Sequence, residues 1–391
     1  MKPIYLDYAA TTPVRAEVFA AMLPYLKNYF GNPSSIHTAG KKAKAGIEQA
    51  RAQTANLIGA LPEEIIFTSG ATEADNMAVL GIARSNRKKG NHIITSKIEH
   101  HAVLDSCRAL EKEGFAVTYL DVGRDGIVKV SDVQKALRPD TILVSIMHGN
   151  NEIGTIQPIK EIGRLLVKEK ALFHTDAVQT AGQIPVDVRR LRVDLLSLSG
   201  HKMYGVKGAG ALYVRRGLRT DKIMFGGAQE NNRRAGTENV AGIVALGKAA
   251  EIAKREGREQ SRRLKLLRDY FIAEITSRIP TVQLNGHKSK RLPGNINFSF
   301  AYVDGSALLQ ALNAEGIYCS AGSACTAGDT SVSHVLTALR VPDYLAQGTL
   351  RLTIGRKTTK QELEYAVGFL EKKVQELRAL SNTYQALHLP Q

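Results

Sequence analysis

The sequence predicts an α/β chain with a large domain on a mainly parallel seven-stranded sheet and a smaller α+β domain. Three observations predict it. The chain has 391 residues, beyond the roughly 250–300 at which one hydrophobic core stops growing. Short apolar runs alternate with longer helical patterns, the rhythm of a parallel sheet with helical crossovers. Those runs are apolar throughout rather than alternating, as strands are when helices cover both faces of the sheet.

Taken in order, "MKPIYLDYAATTPV" is expected to pack with the smaller domain or at the domain junction. Strand candidates follow at 64–68, 92–96, 116–120, 141–147, 171–176, 193–199 and 210–214. Helical patterns lie between most of them, among them "EADNMAVLGIARSNRKK", "HHAVLDSCRALEKEG" and "PIKEIGRLLVKEK". A second pattern opens with a long basic helix at about 249–277 and continues through "GNINFSF", "ALLQALNAEGIYCS" and "LRLTIG". A final helix, "TKQELEYAVGFLEKKVQELRAL", precedes a loosely held tail. The expected division is 15–255 for the large domain, with 1–14 and 256–391 forming the small one.

Composition narrows the class. Hydrophobic residues make up 43%, an ordinary globular share. No run of 18 apolar residues exists and no apolar signal core follows the N-terminus, so no membrane span and a cytoplasmic location are expected. Three cysteines, Cys107, Cys319 and Cys325, are too few and too odd in number for a disulfide scaffold. The histidines are dispersed, with no HExxH or paired CxxC, so no metal site is expected. The net charge of +16 gathers at 188–193 and 254–269. The second cluster reads as one exposed helix face, solvated or offered to tRNA or an acidic partner.

Ligands of open α/β sheets bind beyond the carboxyl ends of the strands. Polar residues collect there. Lys202, with Ser199 and His201, follows the run 193–199 and is trailed by Gly205, Gly208 and Gly210. A lysine held by such a loop is a Schiff-base nucleophile, a phosphate ligand or a general base. "SGATE" at 69–73 places small residues and Thr72 at a helix start, where free N–H groups bind anions. Asp176 ends a hydrophobic strand, and a buried carboxylate needs a partner such as a protonated ring nitrogen. His100 heads a helix and offers a flat ring for stacking. Lysine, strand-end aspartate, stacking histidine and phosphate cup are together what pyridoxal 5'-phosphate requires.

With "YLDYAATTP", "FGNPSSIHTAG", "FTSGATEADN", "EHHAVLD", "NNEIGTIQPI", "HTDAVQTAG", "SGHKMYGVKGAGALYVR", "GGAQENNRRAGTENV", "GSACTAG" and "LRLTIGRKTT" in order along nearly the whole chain, the sequence resembles the cysteine desulfurases of the NifS/IscS type, in the class V aminotransferase family of PLP fold type I. The resemblance implies Lys202 as the Schiff-base lysine, Asp176 as the pyridinium partner, Gln179 on the phenolic oxygen and His100 as the stacking ring, with a part in proton transfer. It implies Ala71, Thr72, Ser199 and His201 around the phosphate, and Thr237 as a phosphate contact from the other subunit of a homodimer. Arg351 resembles the clamp on the substrate carboxylate, with Asn151 beside it and beside the cofactor. Cys325 matches the cysteine that receives sulfur as L-cysteine becomes L-alanine.

Cys325 lies in a stretch of Gly, Ser and Ala, where a mobile, exposed thiol is expected, whereas Cys107 and Cys319 are expected to point inward. Val332 stands where relatives usually carry a proline. The resemblance further implies a sulfur-acceptor or iron–sulfur scaffold protein as partner, with sulfur supplied for iron–sulfur clusters or tRNA thiolation. Selenocysteine lyase or aminotransferase activity on the same fold, and a noncatalytic platform, are the alternatives.

Overall fold

The structure, a computed structural model, describes residues 3–321, 332–381 and 384. A two-residue strand β1 (Ile4–Tyr5) opens the chain. The β-branched and leucine-rich runs that follow form β2 (Ile65–Thr68), β3 (His92–Ser96), β4 (Ala116–Leu120), β5 (Thr141–Ser145), β6 (Leu172–Asp176), β7 (Leu195–Ser199) and β8 (Gly210–Val214). They make one seven-stranded sheet in the order β2-β8-β7-β6-β5-β3-β4. Pairing is parallel from β7 across to β4, and antiparallel where β8 joins β7 and β2. The reversal has a simple cause: only residues 200–209 connect β7 to β8, too few for the crossover that a parallel neighbour requires.

Two apolar runs overshoot their strands. The run 141–147 ends as a strand at Ser145, because the Met147 N–H turns to the Glu99 carboxyl at 2.9 and 3.0 Å. The run 193–199 becomes strand only from Leu195. The parallel strands bring Ser96, Ser145, Asp176 and Ser199 to one rim of the sheet.

The long helix runs Val240–Arg278 and starts earlier than its basic stretch suggests, because the Asn239 side chain accepts from Gly242 N at 3.1 Å and caps it. Its first part buries Leu246, Ala249 and Ile252 against the core of the large sheet. Its later part buries Leu264, Phe271 and Ile275 in a second core. Lys254, Arg255, Arg258, Arg262 and Lys265 are exposed. Arg268 departs from the expected exposed face: it is buried, with Nη1 donating to the Arg291 and Leu292 carbonyls at 3.0 Å each.

The second core gathers β1, β9 (Val282–Leu284), β10 (Asn295–Phe300), β11 (Ile317–Tyr318) and β12 (Thr349–Thr353). A three-stranded antiparallel sheet runs β12-β10-β9, and β1 pairs parallel with β11. The last helix, Lys360–Ala379, opens with a capping box: Glu362 N donates to Thr359 Oγ1 at 3.2 Å, and Thr359 N to Glu362 Oε2 at 2.7 Å. Among the described residues no helix is long and apolar enough to cross a membrane.

Candidate active site

A cavity of about 550 Å³ opens over the sheet rim and is lined from both cores, a size typical of cofactor and small-molecule sites. Ala71, Thr72, His100, Asn151, Asp176, Gln179, Ser199, His201, Lys202 and Arg351 all border it. Of the other two expected residues, Thr237 is exposed and does not line the cavity of its own chain. Cys325 lies outside the described residues.

Lys202 closes a short turn, Gly200–Lys202, that follows β7 directly. Its Nζ donates to the carbonyls of Ala9 at 2.5 Å and Ala10 at 2.8 Å, so the N-terminal segment holds the ammonium at the cavity wall. Gln179 Nε2 donates to the same Ala9 carbonyl at 3.0 Å. Asp176, at the end of β6, is 7% exposed. Its Oδ1 accepts from Val178 N at 2.8 Å. Burial pushes this carboxyl up to about 6, against the pull of that N–H and of Lys202.

His100 caps the helix His101–Lys112, with Nδ1 accepting from Ala102 N at 3.1 Å. Burial, helped by Lys202, lowers it to about 4, so the ring is neutral. His201 Nδ1 lies 3.1 Å from Thr11 Oγ1, and burial likewise lowers it to about 4. The helix Ala71–Asn86 points its N-terminus, with its unpaired N–H groups, at the cavity. Gly210 makes that placement possible: a Cβ there would stand 2.7 Å from the Gly70 backbone.

Arg351 arrives from β12 and is 2% exposed. Nη2 donates to Asp7 Oδ1 at 2.9 Å and Nη1 to the Asn151 carbonyl at 3.3 Å. Nε meets no acceptor among the described residues.

Sequence reasoning missed several groups here. Asp7 holds the arginine. Glu152 is buried, its carboxyl raised by burial, and takes a bond from Ser333 Oγ at 2.6 Å. Asp75 and Glu99 are each 1% exposed, and Asp75 lines the cavity. Asp75 had a readable signal, since it shares the buried register of its helix with Ala74, Ala78, Val79 and Ile82. A second cavity of about 790 Å³ shares His101 and His334 with the first and includes Val332, which packs on the large core. Cys107 is buried in the core between helices and sheet, and Cys319 is half-buried; burial raises each thiol to about 12.

The donor set fits pyridoxal phosphate. A buried carboxylate awaits a cation, an ammonium stands across the same cavity, and a helix N-terminus offers N–H groups to an anion.

Comparison with known proteins agrees. The model of the aminotransferase class-V family matches residues 4–366. The cysteine desulfurase IscS of Dictyoglomus turgidum is 56% identical over 380 residues, covering 97% of this chain and 96% of that protein. Among solved structures, a NifS-like protein superposes with a TM-score of 0.90 at 37% identity, covering 96% of this chain and all of that one. SspA, solved in complex with cysteine, gives 0.81 at 37% identity over 91% of this chain and 100% of its own. A family match across nearly the whole chain, on a cavity with this donor set, means that the chain belongs to the class-V aminotransferase family, in its cysteine desulfurase branch.

Proposed function

We propose that the cavity over the sheet rim is the active site of a pyridoxal-phosphate-dependent cysteine desulfurase, which converts L-cysteine to L-alanine and passes the sulfur to a cysteine of its own chain. One observation carries this reading: Lys202, Asp176, His100 and Arg351, from four separate elements and both cores, border one cavity. Its relatives bear the same activity in their names, and SspA was solved with cysteine bound.

The bound cofactor supplies an electron sink for the pair left when the substrate's Cα proton is removed. Asp176 would hold the proton on the cofactor's ring nitrogen. Gln179 would bond the cofactor's phenolic oxygen, and the neutral His100 ring would stack on the cofactor. Ser199, His201, Ala71 and Thr72 would hold the phosphate, with Thr237 added from a second copy of a homodimer. That assignment accords with the exposure of Thr237 in the single chain.

Arg351 clamps the substrate carboxylate beside Asn151. Lys202 takes the Cα proton. The Cys325 thiolate attacks the substrate sulfur: an S–S bond forms, the C–S bond breaks with its electrons staying on carbon, and protonation of that carbon leads to alanine. Cys325 is left as a persulfide. An acceptor protein, an iron–sulfur scaffold or a tRNA-thiolation carrier, takes the sulfur onward, with a cytoplasmic location to match. The domain division at 255 would fall inside the helix Val240–Arg278, which joins the two cores.

The test is direct. Purified protein loaded with the cofactor should make alanine from L-cysteine, and borohydride should fix the cofactor to Lys202. No alanine, or an adduct on Lys207 instead, would overturn the reading.

A further inference from the structure

The small sheet turns a buried polar face toward the cavity. Along β10 the side chains alternate. Ile296, Phe298 and Phe300 enter the second core, while Asn295, Asn297 and Ser299 face the other way. Those three are still at most 3% exposed. Polar side chains so deeply buried are costly unless they are bonded. The strand register sets Asn297 directly across from Arg351 on β12, so the two side chains stand next to each other on that face.

The segment 148–157 meets this face and carries Asn151 and Glu152 to the cavity. Three successive carbonyls of the segment are taken by side chains from residues 291–351. Arg351 Nη1 donates to the Asn151 carbonyl at 3.3 Å. Asn295 Nδ2 and Asn297 Nδ2 donate to the Glu152 carbonyl at 3.1 and 3.2 Å. Arg291 Nη1 donates to the Ile153 carbonyl at 2.7 Å. Both amides are held in this orientation from behind. Asn297 Oδ1 accepts from Asn285 Nδ2 at 2.8 Å, and Asn295 Oδ1 from Arg291 Nη1 at 3.3 Å. Gly154 admits the approach: its φ is +70 to the nearest ten degrees, and a Cβ there would stand 2.4 Å from Asn295 Oδ1. From the side of the large sheet Asn150 holds the same segment. Its Oδ1 accepts from Glu152 N at 2.9 Å and Ile153 N at 3.0 Å, and its Nδ2 donates to the Ile98 carbonyl at 2.9 Å.

We propose that Asn297, with Asn295, is a positioning residue for substrate capture: by holding the Glu152 carbonyl it fixes where the Asn151 side chain stands against the Arg351 guanidinium, and so shapes the seat of the substrate carboxylate. The proposal rests on the reading of Arg351 as the carboxylate clamp. Asn151 immediately precedes the held peptide, and its own carbonyl is bonded to the clamp. A substrate group gripped from two sides is bound well only when both sides keep their separation. Asn297 sets that separation from the strand beside the clamp, without touching the substrate.

The experiment uses the full-length holoprotein and two small amines, L-alanine and ethylamine, which differ by the carboxylate. Binding of each is read from the cofactor's absorbance, and melting temperatures confirm that each variant is folded. In Arg351→Lys the preference for L-alanine over ethylamine should fall. If it does not, the reading of Arg351 fails, whatever Asn297 does. Asn297→Leu keeps the approximate shape of the amide without its N–H. It should weaken L-alanine about tenfold, raise KM for L-cysteine by a similar factor with kcat little changed, and leave ethylamine binding as in wild type. In an Asn151→Ala background the same change should add less than about threefold. If Asn297→Leu does not fold, Asn297→Ala is the donor-free variant, with the same expectations. Unchanged L-alanine binding in the folded donor-free variant, an equal loss for ethylamine, or a full further loss in the Asn151→Ala background would overturn the proposal.

Discussion

Asp176 and Arg351 face one cavity but are held there in different ways. Asp176 ends a central strand, anchored by a backbone N–H, with Asp75 and Glu99 buried beside it. Its surroundings hold acids that burial, with the neighbouring Asp176 charge, drives toward the neutral form. Arg351 belongs to the other core, and one carboxylate, Asp7, holds it from the N-terminal segment. The first arrangement suits a cofactor that stays bound. The second suits a substrate that comes and goes, because the guanidinium is already oriented by Asp7. The comparison implies that cofactor chemistry and substrate capture can be damaged separately.

The largest expected effect falls on the cofactor half. Lys202→Ala should reduce alanine formation by at least ~10²–10⁴-fold, the usual contribution of a positioned acid–base group, while the melting temperature stays near wild type. Turnover within tenfold of wild type would remove Lys202 from the chemistry.

Arg351→Lys comes next. It loses the planar fork and should raise KM for cysteine about 10–100-fold, the size of one charged hydrogen bond, with kcat less affected. An equal fall in kcat at unchanged KM would dissolve the proposed separation of the two halves.

Asp7→Asn should be milder, with KM rising about three- to tenfold, because the arginine keeps its carbonyl contact but loses its ionic anchor. An effect as large as that of Arg351→Lys would mean that Asp7 touches the substrate itself.

The smallest effect is on stability. Glu99 is raised to about 8 in the folded chain, so the folded state holds its proton more tightly than the unfolded state does. Its contribution is therefore most favourable below its ordinary value of 4.5 and declines as pH rises to about 8. In Glu99→Gln that decline should vanish, seen as a flatter urea midpoint between pH 5 and 8 than wild type shows. A variant with the wild-type slope would show that Glu99 is ionised in the native protein.

The same contrast explains what could be read from sequence. The sheet was legible because its strands are unbroken apolar runs, and the C-terminal rim then pointed to Lys202 and Asp176 by position. Arg351 was reached only through family resemblance, since nothing local to "LRLTIG" marks a cavity. The basic stretch at 254–269 looked uniform, yet Arg268 turns inward to carbonyls that lie more than twenty residues away in the chain. Charge patterning along a helix cannot show such a partner. Glu99 was hidden for a similar reason, because its ligands, Ser96 Oγ and Met147 N, meet only when β3 and β5 pair. Asp75 was the avoidable omission, a charged residue in the apolar register of its helix.

The central claim is that sulfur leaves cysteine for a thiol of this chain, and it can be tested by one measurement. Holoprotein given a brief pulse of L-cysteine without reductant is digested and its peptides weighed. The added mass of a single sulfur atom is expected on the peptide containing Cys325, with unmodified peptides for the buried Cys107 and half-buried Cys319. Added sulfur on either of those two, or alanine formed at the wild-type rate by Cys325→Ala, would contradict it.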